Sequence, residues 1–372
     1  MKKLFRTLFR KTRLHDCPLN KIAYIRYTMT WRCDSRCVSC NIWKMKTSPE
    51  EELTPRDIEK LAESRLLSDV EEVVLSGGEP TLRDDFPEIV LAFHKNLKKA
   101  EFNITLNGNH PDRAYNLFKK IKEQAPDFMW ASVNVSLNGP EEIHDASRGV
   151  AGSFKNAVRT AELLKEFARK VDFSFTFLKN NVEYFKWVQD FAKTKGMNAH
   201  ICWTVMNDRF NTVEEDLVFR NNPKLVSVLE DFAGIKNIAW GSDIALDFFK
   251  YRYNLKWAYL YDSILNERII PCRACKTLFH LDPYGNVYPC NFNLSDDRIL
   301  GNIKEEKFDD LWKRIPKKIL YEIATGACMY PNGVCGDSDL NRSVLQADTP
   351  VFKWFTEKRK HNKKLIEIEK AP

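Results

Sequence analysis

Three cysteines stand close together near the start of the chain: Cys33, Cys37 and Cys40, separated by three and then two residues. Thiolates at that spacing can turn toward one point, and a soft sulfur site suits an iron–sulfur cluster or zinc. A [4Fe-4S] cube held by only three thiolates keeps one iron without a protein ligand, open to bind and reduce a small molecule. Zinc also draws on closely spaced cysteines, so spacing alone admits both metals. A disulfide framework fits poorly, because ten cysteines in 372 residues without a secretory signal belong in a reducing compartment, the cytoplasm.

A second group of cysteines lies toward the other end. Cys272 and Cys275 precede an apolar run at 278–281, a turn at Asp282-Pro283-Tyr284-Gly285-Asn286, and Val287-Tyr288-Pro289-Cys290. That pattern predicts a β-hairpin with cysteines at its base. Cys328 and Cys335 follow, beyond a helix expected near 308–323. These five cysteines can furnish four ligands to one more metal centre, and as bare spacing a zinc ribbon and a cluster are equally open. Cys17 and Cys202 are isolated and read as small buried hydrophobes.

The elements that must position these residues alternate. Apolar, β-rich runs at 22–29, 72–75, 102–106, 131–137, 171–177 and 199–205 are separated by amphipathic stretches at 55–66, 86–97, 112–124, 153–169 and 182–195. The alternation predicts an α/β fold, a partial (β/α)6 TIM-type barrel with its site at the carboxyl ends of the strands. After about residue 206 the pattern gives way to helical stretches at 214–232 and 244–265, leading into a small C-terminal cysteine-rich α+β domain. The expected division is a basic amphipathic segment over 1–21, the barrel over 22–235, the cysteine-rich domain over 236–345 and a basic tail over 346–372.

The net charge of +7 is concentrated at the two ends: residues 1–21 carry +6 and residues 353–372 carry +4, which leaves −3 for the body. A basic nucleic-acid groove through the fold is therefore not expected, and nucleic acid is not among the expected partners. Within residues 1–15, Leu4, Phe5, Leu8 and Phe9 share a helical stripe flanked by Lys and Arg. No continuous apolar run follows. The segment reads as a helix packed on the barrel or, alternatively, as a surface helix in peripheral contact with anionic lipid.

Further residues fall where the strands should end. Strand two runs into Ser76-Gly77-Gly78-Glu79-Pro80, whose glycines free the backbone for close approach to a ligand while Glu79 supplies an acceptor. Strand three ends at Thr105-Leu106-Asn107-Gly108 and strand four at Val135-Ser136-Leu137-Asn138-Gly139, followed by His144-Asp145-x-x-Arg148-Gly149.

Together these motifs resemble the radical S-adenosylmethionine (SAM) superfamily, and the likeness covers roughly residues 22–340. The resemblance implies that Cys33, Cys37 and Cys40 hold a [4Fe-4S] cluster whose open iron chelates SAM, and that one electron splits SAM into methionine and a 5′-deoxyadenosyl radical. It implies that Gly77, Gly78, Glu79 and Pro80 bind the methionyl amino group, that Ser136 faces SAM and that Arg148 reaches its carboxylate; Asn107 joins them at the barrel mouth. Two departures stand out. Asn138 replaces the usual aspartate, and Ser39 replaces the usual aromatic residue before the third cysteine, with Trp43 as the ring that could substitute.

The C-terminal pattern, Gly285 to Cys290 followed by Gly301-Asn302-Ile303 and a helix, is similar to the SPASM and twitch extensions of the same superfamily. These hold auxiliary [4Fe-4S] clusters, and the cysteines present suffice for one. By that likeness Cys272, Cys290, Cys328 and Cys335 are its ligands, with Cys275 at a position where a small residue is usual. Sulfatase-maturing members carry an aspartate base after the hairpin cysteine. Here it is Asn291, and an amide is no general base at ordinary pH. If the reaction is an oxidation, Asp282, Asp296 and His280 are the local alternatives. The implied electron donor is flavodoxin or ferredoxin. The substrate is a small molecule, a peptide or a protein, and the lack of a separate recognition domain before the barrel tilts the expectation toward a small or carrier-borne one. The competing reading is a non-catalytic cysteine-rich zinc-binding interaction protein.

Overall fold

The computed structural model describes residues 22–178, 180–202, 274–290 and 294–325. Six strands, β1 (Tyr24–Thr28), β2 (Glu72–Ser76), β3 (Glu101–Leu106), β4 (Ser132–Ser136), β5 (Val171–Thr176) and β6 (Ala199–Cys202), pair in parallel in chain order. A seventh, β7 (Leu278–Leu281), adds in parallel on the free side of β1; β8 (Asn286–Tyr288) and β9 (Gly301–Asn302) continue antiparallel. The resulting order, β6-β5-β4-β3-β2-β1-β7-β8-β9, is an open sheet with a half-barrel core. The C-terminal hairpin thus extends the same sheet.

Helices α1 (Pro55–Ala62), α2 (Phe86–Asn96), α3 (Pro111–Gln124), α4 (Glu141–Arg148), α5 (Ser153–Leu163) and α6 (Phe185–Thr194) form the crossovers, and α7 (Phe308–Lys313) and α8 (Lys317–Thr325) follow the hairpin. Local chemistry sets several boundaries. Thr54 and Asp57 form a capping box with Pro55 in the first turn of α1. Pro316 separates α7 from α8, dividing the single helix expected over 308–323. α4 was not anticipated as a helix; it ends at Gly149, whose φ of +64° lies in the left-handed region. The expected helices at 214–232 and 244–265, the segment 1–15 and the tail lie outside the described residues.

Strand residues alternate strictly between two faces. Ile25, Tyr27, Val73, Leu75, Phe102, Ile104, Val133, Val135, Phe173 and Phe175 are buried under the helices. Their rings meet helix rings: Tyr27 lies 6.1 Å from Phe93, Phe173 6.2 Å from Phe191, and Phe279 of β7 4.7 Å from Phe308. The other face carries Arg26, Thr28, Ser76, Asn103, Thr105, Asn134, Ser136, Ser174, Thr176 and His280. Such alternation is unlike a parallel sheet packed on both faces, and it gives the concave side a polar lining. No described helix is long and apolar enough to cross a membrane.

At the amino ends of the strands Asp172, 1% exposed, accepts from Lys170 (2.6 Å), His200 (2.6 Å) and the Asn198 amide (2.8 Å). Burial alone would raise its pKa, but the His200, Lys170 and Asn198 hydrogen bonds outweigh it and hold the carboxyl far below the ordinary carboxylate range. A depressed folded-state pKa contributes stability above the unfolded value, about 3.9, which is lost as pH falls toward the folded value. Asp172→Asn is therefore expected to cost about 3 kcal/mol at pH 7, and the gap from wild type should narrow as pH falls below about 4. Urea midpoints measured between pH 7 and pH 3 test this; a gap that stays constant or widens contradicts it.

Candidate cofactor site at the carboxyl edge of the sheet

Parallel pairing gathers the ends of β1, β2, β3 and β4 at one edge, and the cysteine loop after β1 is fastened there by backbone hydrogen bonds. Gly78 N donates to Thr30 O and Glu79 N to Arg32 O, each at 2.8 Å. On the other flank Arg36 N donates to Arg148 O (2.8 Å) and Val38 N to Ser147 O (3.1 Å). Two flanking elements, the β2 turn and the end of α4, thus hold the loop between them. The glycines have a structural task. A Cβ on Gly78 would lie 2.0 Å from the Arg32 carbonyl oxygen and one on Gly77 2.8 Å from that of Thr30. They let the turn close on the cysteine loop itself. Gly149 does the same at α4, where a Cβ would meet Arg36 O at 2.5 Å.

Cys33, Cys37 and Cys40 are half-buried, and none of the three is in a disulfide. Cys33 and Cys40 pack on an apolar cluster of Trp31, Ile42, Tyr288 and Leu294 that joins the loop to the C-terminal hairpin. Burial, with Glu79, Cys37 and Asp34 nearby, pushes the Cys33 thiol up to about 12. Glu79 is fully buried, and its pKa is raised first by that burial and further by Asp34, against the hydrogen bonds it accepts from Thr81 and Asn107. Its oxygens accept from Thr81 N (3.0 Å), Thr81 Oγ1 (2.6 Å) and Asn107 N (2.6 Å). Among the described residues, no three His, Cys, Asp or Glu side chains are gathered closely enough to hold a single metal ion.

Asn107 belongs to a network that sequence inspection missed. Its Nδ2 donates to Asp34 Oδ1 (2.6 Å) and Ser35 Oγ (3.1 Å), while Asn109 Nδ2 donates to Asp34 Oδ2 (2.8 Å) and Ser35 Oγ (3.0 Å). His110 Nε2 lies 3.1 Å from Asp34 Oδ2. The end of β3 therefore orients the residues between the first two cysteines. The only available signal was the polar pair Asp34-Ser35 lodged inside the cysteine spacing.

The β4 end accounts for one departure from the family pattern. Asn138 is 1% exposed; its Nδ2 donates to Ser147 Oγ (3.1 Å) and its Oδ1 accepts from Thr176 N (3.1 Å). Ser147 already gives its hydroxyl hydrogen to His144 O (2.8 Å), so the partner at 138 must be a donor, which an aspartate is not. His144 Nδ1 accepts from Asn138 N (3.0 Å), and burial, with Arg148 adding to it, drives the imidazole down to about 3. Asp145 caps α5 through Gly152 N (2.6 Å), Ser153 Oγ (2.9 Å) and Phe154 N (2.8 Å). Ser136 is buried on the polar face, and Arg148 makes no ion pair among the described residues. Trp43 is neither core nor enclosed; it is 37% exposed with Lys44 Nζ over its ring at 5.1 Å.

At the hairpin, Asp282 is spent on the turn, accepting from Tyr284 N, Asn286 N and Asn286 Nδ2, each at 2.9 Å. Asp296 is exposed on the surface, while His280 is buried with Nε2 3.2 Å from Thr28 Oγ1. Cys275 is wholly buried in the main core at φ +56° and Cys290 is half-buried against it. Cys17, Cys272, Cys328, Cys335 and Asn291 lie outside the described residues.

The Radical SAM superfamily matches residues 27–192, spanning the cysteine loop and the β2 and β4 ends, and an iron–sulfur cluster-binding (SPASM) domain matches 272–319. The chain is a radical SAM enzyme. Its similarity to a mycofactocin maturase of Mycobacterium ulcerans is 29% over 342 residues, 89% of this chain and 84% of that one. An Fe-coproporphyrin III synthase of Methanosarcina barkeri is 34% identical over 163 residues, 44% of this chain; the match covers 39% of that relative's length. Among solved structures, SuiB of Streptococcus suis bound to S-adenosylmethionine shares the fold at a TM-score of 0.59 and 17% identity, covering 91% of this chain and 76% of that chain. Native anSMEcpe with bound AdoMet gives 0.57 at 19%, covering 92% and 98%. The iron–sulfur domain also removes the ground for reading the radical SAM enzyme as a zinc-binding interaction protein.

Two substitutions test the packing of this edge. Gly78→Ala is expected to cost about 3 kcal/mol through overpacking, against about 1 kcal/mol for Gly196→Ala, which is strained at φ +65° but meets nothing within 4 Å. Equal losses in urea titrations would show that the close approach at residue 78 is not limiting. Asn138→Asp, although it restores the family residue, should destabilise by about 2 kcal/mol because it sets oxygen against oxygen in a buried site.

Proposed function

We propose that Cys33, Cys37 and Cys40 hold the [4Fe-4S] cluster, that SAM lies beside it against the β2 turn, and that the enzyme abstracts hydrogen from a peptide or protein substrate on the polar face of the sheet. The observation that carries this is one of charge. Asp34 and the buried Glu79 carboxyl both disfavour the ionisation of Cys33, and Asp34 also disfavours that of Glu79. An ammonium and the positively charged core of a cluster at this spot would relieve that crowding, and Arg148 is available for a carboxylate. A zwitterionic amino-acid moiety meets both demands.

When bound, the cluster supplies the electron that cleaves SAM. The chain's own residues do the rest. The β2 turn, with Gly77, Gly78 and Pro80, and Glu79 fix the amino end; Ser136 and Arg148 line the opposite end; Asn107 orients the loop that carries the thiolates. Trp31, Ile42, Tyr288 and Leu294 form an apolar surface against Cys33 and Cys40, which keeps water from a reactive carbon radical. Cys272, Cys290, Cys328 and Cys335 are the proposed ligands of one auxiliary [4Fe-4S] cluster, with Cys275 serving as core. If a proton must leave the substrate, His280 has the strongest claim of the three local groups, since it sits on the polar face beside Thr28 and Asp282 is consumed by the turn. A peptide substrate is supported by maturase similarity along most of the chain. Flavodoxin or ferredoxin is the proposed electron donor, the cytoplasm the proposed location.

The test is anaerobic reconstitution followed by SAM and dithionite. Wild type should carry about eight iron per chain and release 5′-deoxyadenosine, and a variant with Cys33, Cys37 and Cys40 all replaced by Ala should release none while keeping about four iron. Cleavage by that variant at the wild-type rate would refute the assignment. Hydrogen–deuterium transfer into 5′-deoxyadenosine from labelled peptides, compared with labelled small metabolites, tests the substrate class.

A further inference from the structure

The segment 48–53 lies between the cysteine loop and the C-terminal hairpin, and one buried carboxylate in it faces the loop. The Glu52 side chain is 2% exposed. Its Oε1 accepts from the Thr30 hydroxyl, and its Oε2 lies 3.1 Å from Arg32 and 3.2 Å from Arg83. Thr30 Oγ1 in turn accepts from Arg32 N (3.1 Å) and Arg32 Nε (3.3 Å). Arg83 donates to Met29 O (2.8 Å) and Leu53 O (2.7 Å) and is itself clamped by Asp85 (2.7 Å). Residues 29, 30 and 32 are thereby fixed from one side by a single charged group and its arginines. From the other side Thr30 O and Arg32 O accept from Gly78 N and Glu79 N. The next residue is Cys33.

The same segment is tied to the hairpin. Leu53 N donates to Pro283 O (2.6 Å), Ser48 N to Tyr284 Oη (3.0 Å), and Lys304 Nζ to Glu51 O. A Cβ on Gly285 would lie 3.2 Å from the Leu53 side chain, so the two surfaces are in close contact.

We propose that Glu52 is a positioning residue: by binding Thr30, Arg32 and Arg83 it sets where Cys33 stands relative to the Gly-Gly-Glu-Pro turn, and it fastens that geometry to the hairpin of the iron–sulfur domain. The role rests on the assignment of Cys33 and the turn made above. A carboxylate is required because its two oxygens serve three donors at once; an amide brings one oxygen and two further hydrogens against arginine.

Glu52→Gln and Glu52→Asp are compared in the full chain with Asp172→Asn, an equally buried ion-pair variant at the opposite edge. In chelator-treated protein, alkylation of Cys33 relative to Cys37, read by mass spectrometry, should rise at least fivefold in Glu52→Gln, rise less in Glu52→Asp, and stay unchanged in Asp172→Asn. In reconstituted protein Glu52→Gln should bind SAM at least tenfold more weakly and alter the SAM-induced change in the reduced cluster's electron paramagnetic resonance signal, again unlike Asp172→Asn. Wild-type alkylation in both Glu52 variants, or equal changes in Asp172→Asn, overturns the proposal. If the alkylation result holds but wild type itself binds no SAM, Glu52 still positions Cys33 and the functional reading is what fails.

Discussion

The parallel pairing of β1 with β2 on one side and β7 on the other is the constraint on which the site depends. It brings three carboxyl ends together although β7 begins at residue 278, and so places the cysteine loop between a glycine turn and a hairpin turn. Each neighbour then makes its own demand on the loop. The β2 turn approaches so closely that side chains at 77 and 78 are excluded, and the hairpin supplies Tyr288 to the apolar cluster on which Cys33 and Cys40 pack. A loop of this length would otherwise sample many conformations, at about 1–2 kcal/mol of lost entropy per residue to order it. Backbone hydrogen bonds from the glycine turn and to the end of α4, with the buried Glu52–arginine group, offset that cost.

Much of this was legible because the strands alternate and the helices have an apolar stripe. The six parallel strands appear within a few residues of their expected bounds, since each needs only period two and a turn. The long helices at 86–97 and 112–124 were equally plain. α4 was not: Glu141–Arg148 has eight residues, buries His144 and Ser147, and offers no apolar period to read. The helix expected over 153–169 stops at Leu163 and tightens into a 3-10 turn over Leu164–Phe167. The parallel addition of β7 to β1 was invisible, because nothing in a four-residue apolar run names its partner.

Within the site, the motif residues are visible in the sequence and their neighbours are not. Asp34, Ser35, Asn109 and Glu52 act through contacts between segments distant in sequence, and a lone polar residue carries no spacing signal. Asn107 reads in the sequence as a residue at the mouth, and in the fold its side chain engages Asp34, Ser35 and Asn109. The glycines of the β2 turn stand out in the sequence for close approach, and in the fold the backbone of Arg32 and Thr30 lies against them. Asn138 looked like a defect against the family pattern; the Ser147 hydroxyl, committed to the His144 carbonyl, makes it a requirement.

An open half-barrel also redistributes stability. A closed barrel fills its interior with apolar side chains; here the concave face carries Arg26, Asn103, Thr105, Asn134 and Thr176, which are only half-buried and add little hydrophobic stabilisation. The burden falls on the outer layer, at about 2 kcal/mol for each large apolar side chain removed from water. The composition answers that need: Phe86, Phe118 and Trp130 stack with centroids 5.1–6.2 Å apart, and Phe102 and Phe128 meet Trp130 edge-on. Stability is thus concentrated between sheet and helices, away from the polar face. Substitutions on the concave side can then be made without emptying the core, which is the arrangement a scaffold needs if one cofactor chemistry is to serve different substrates.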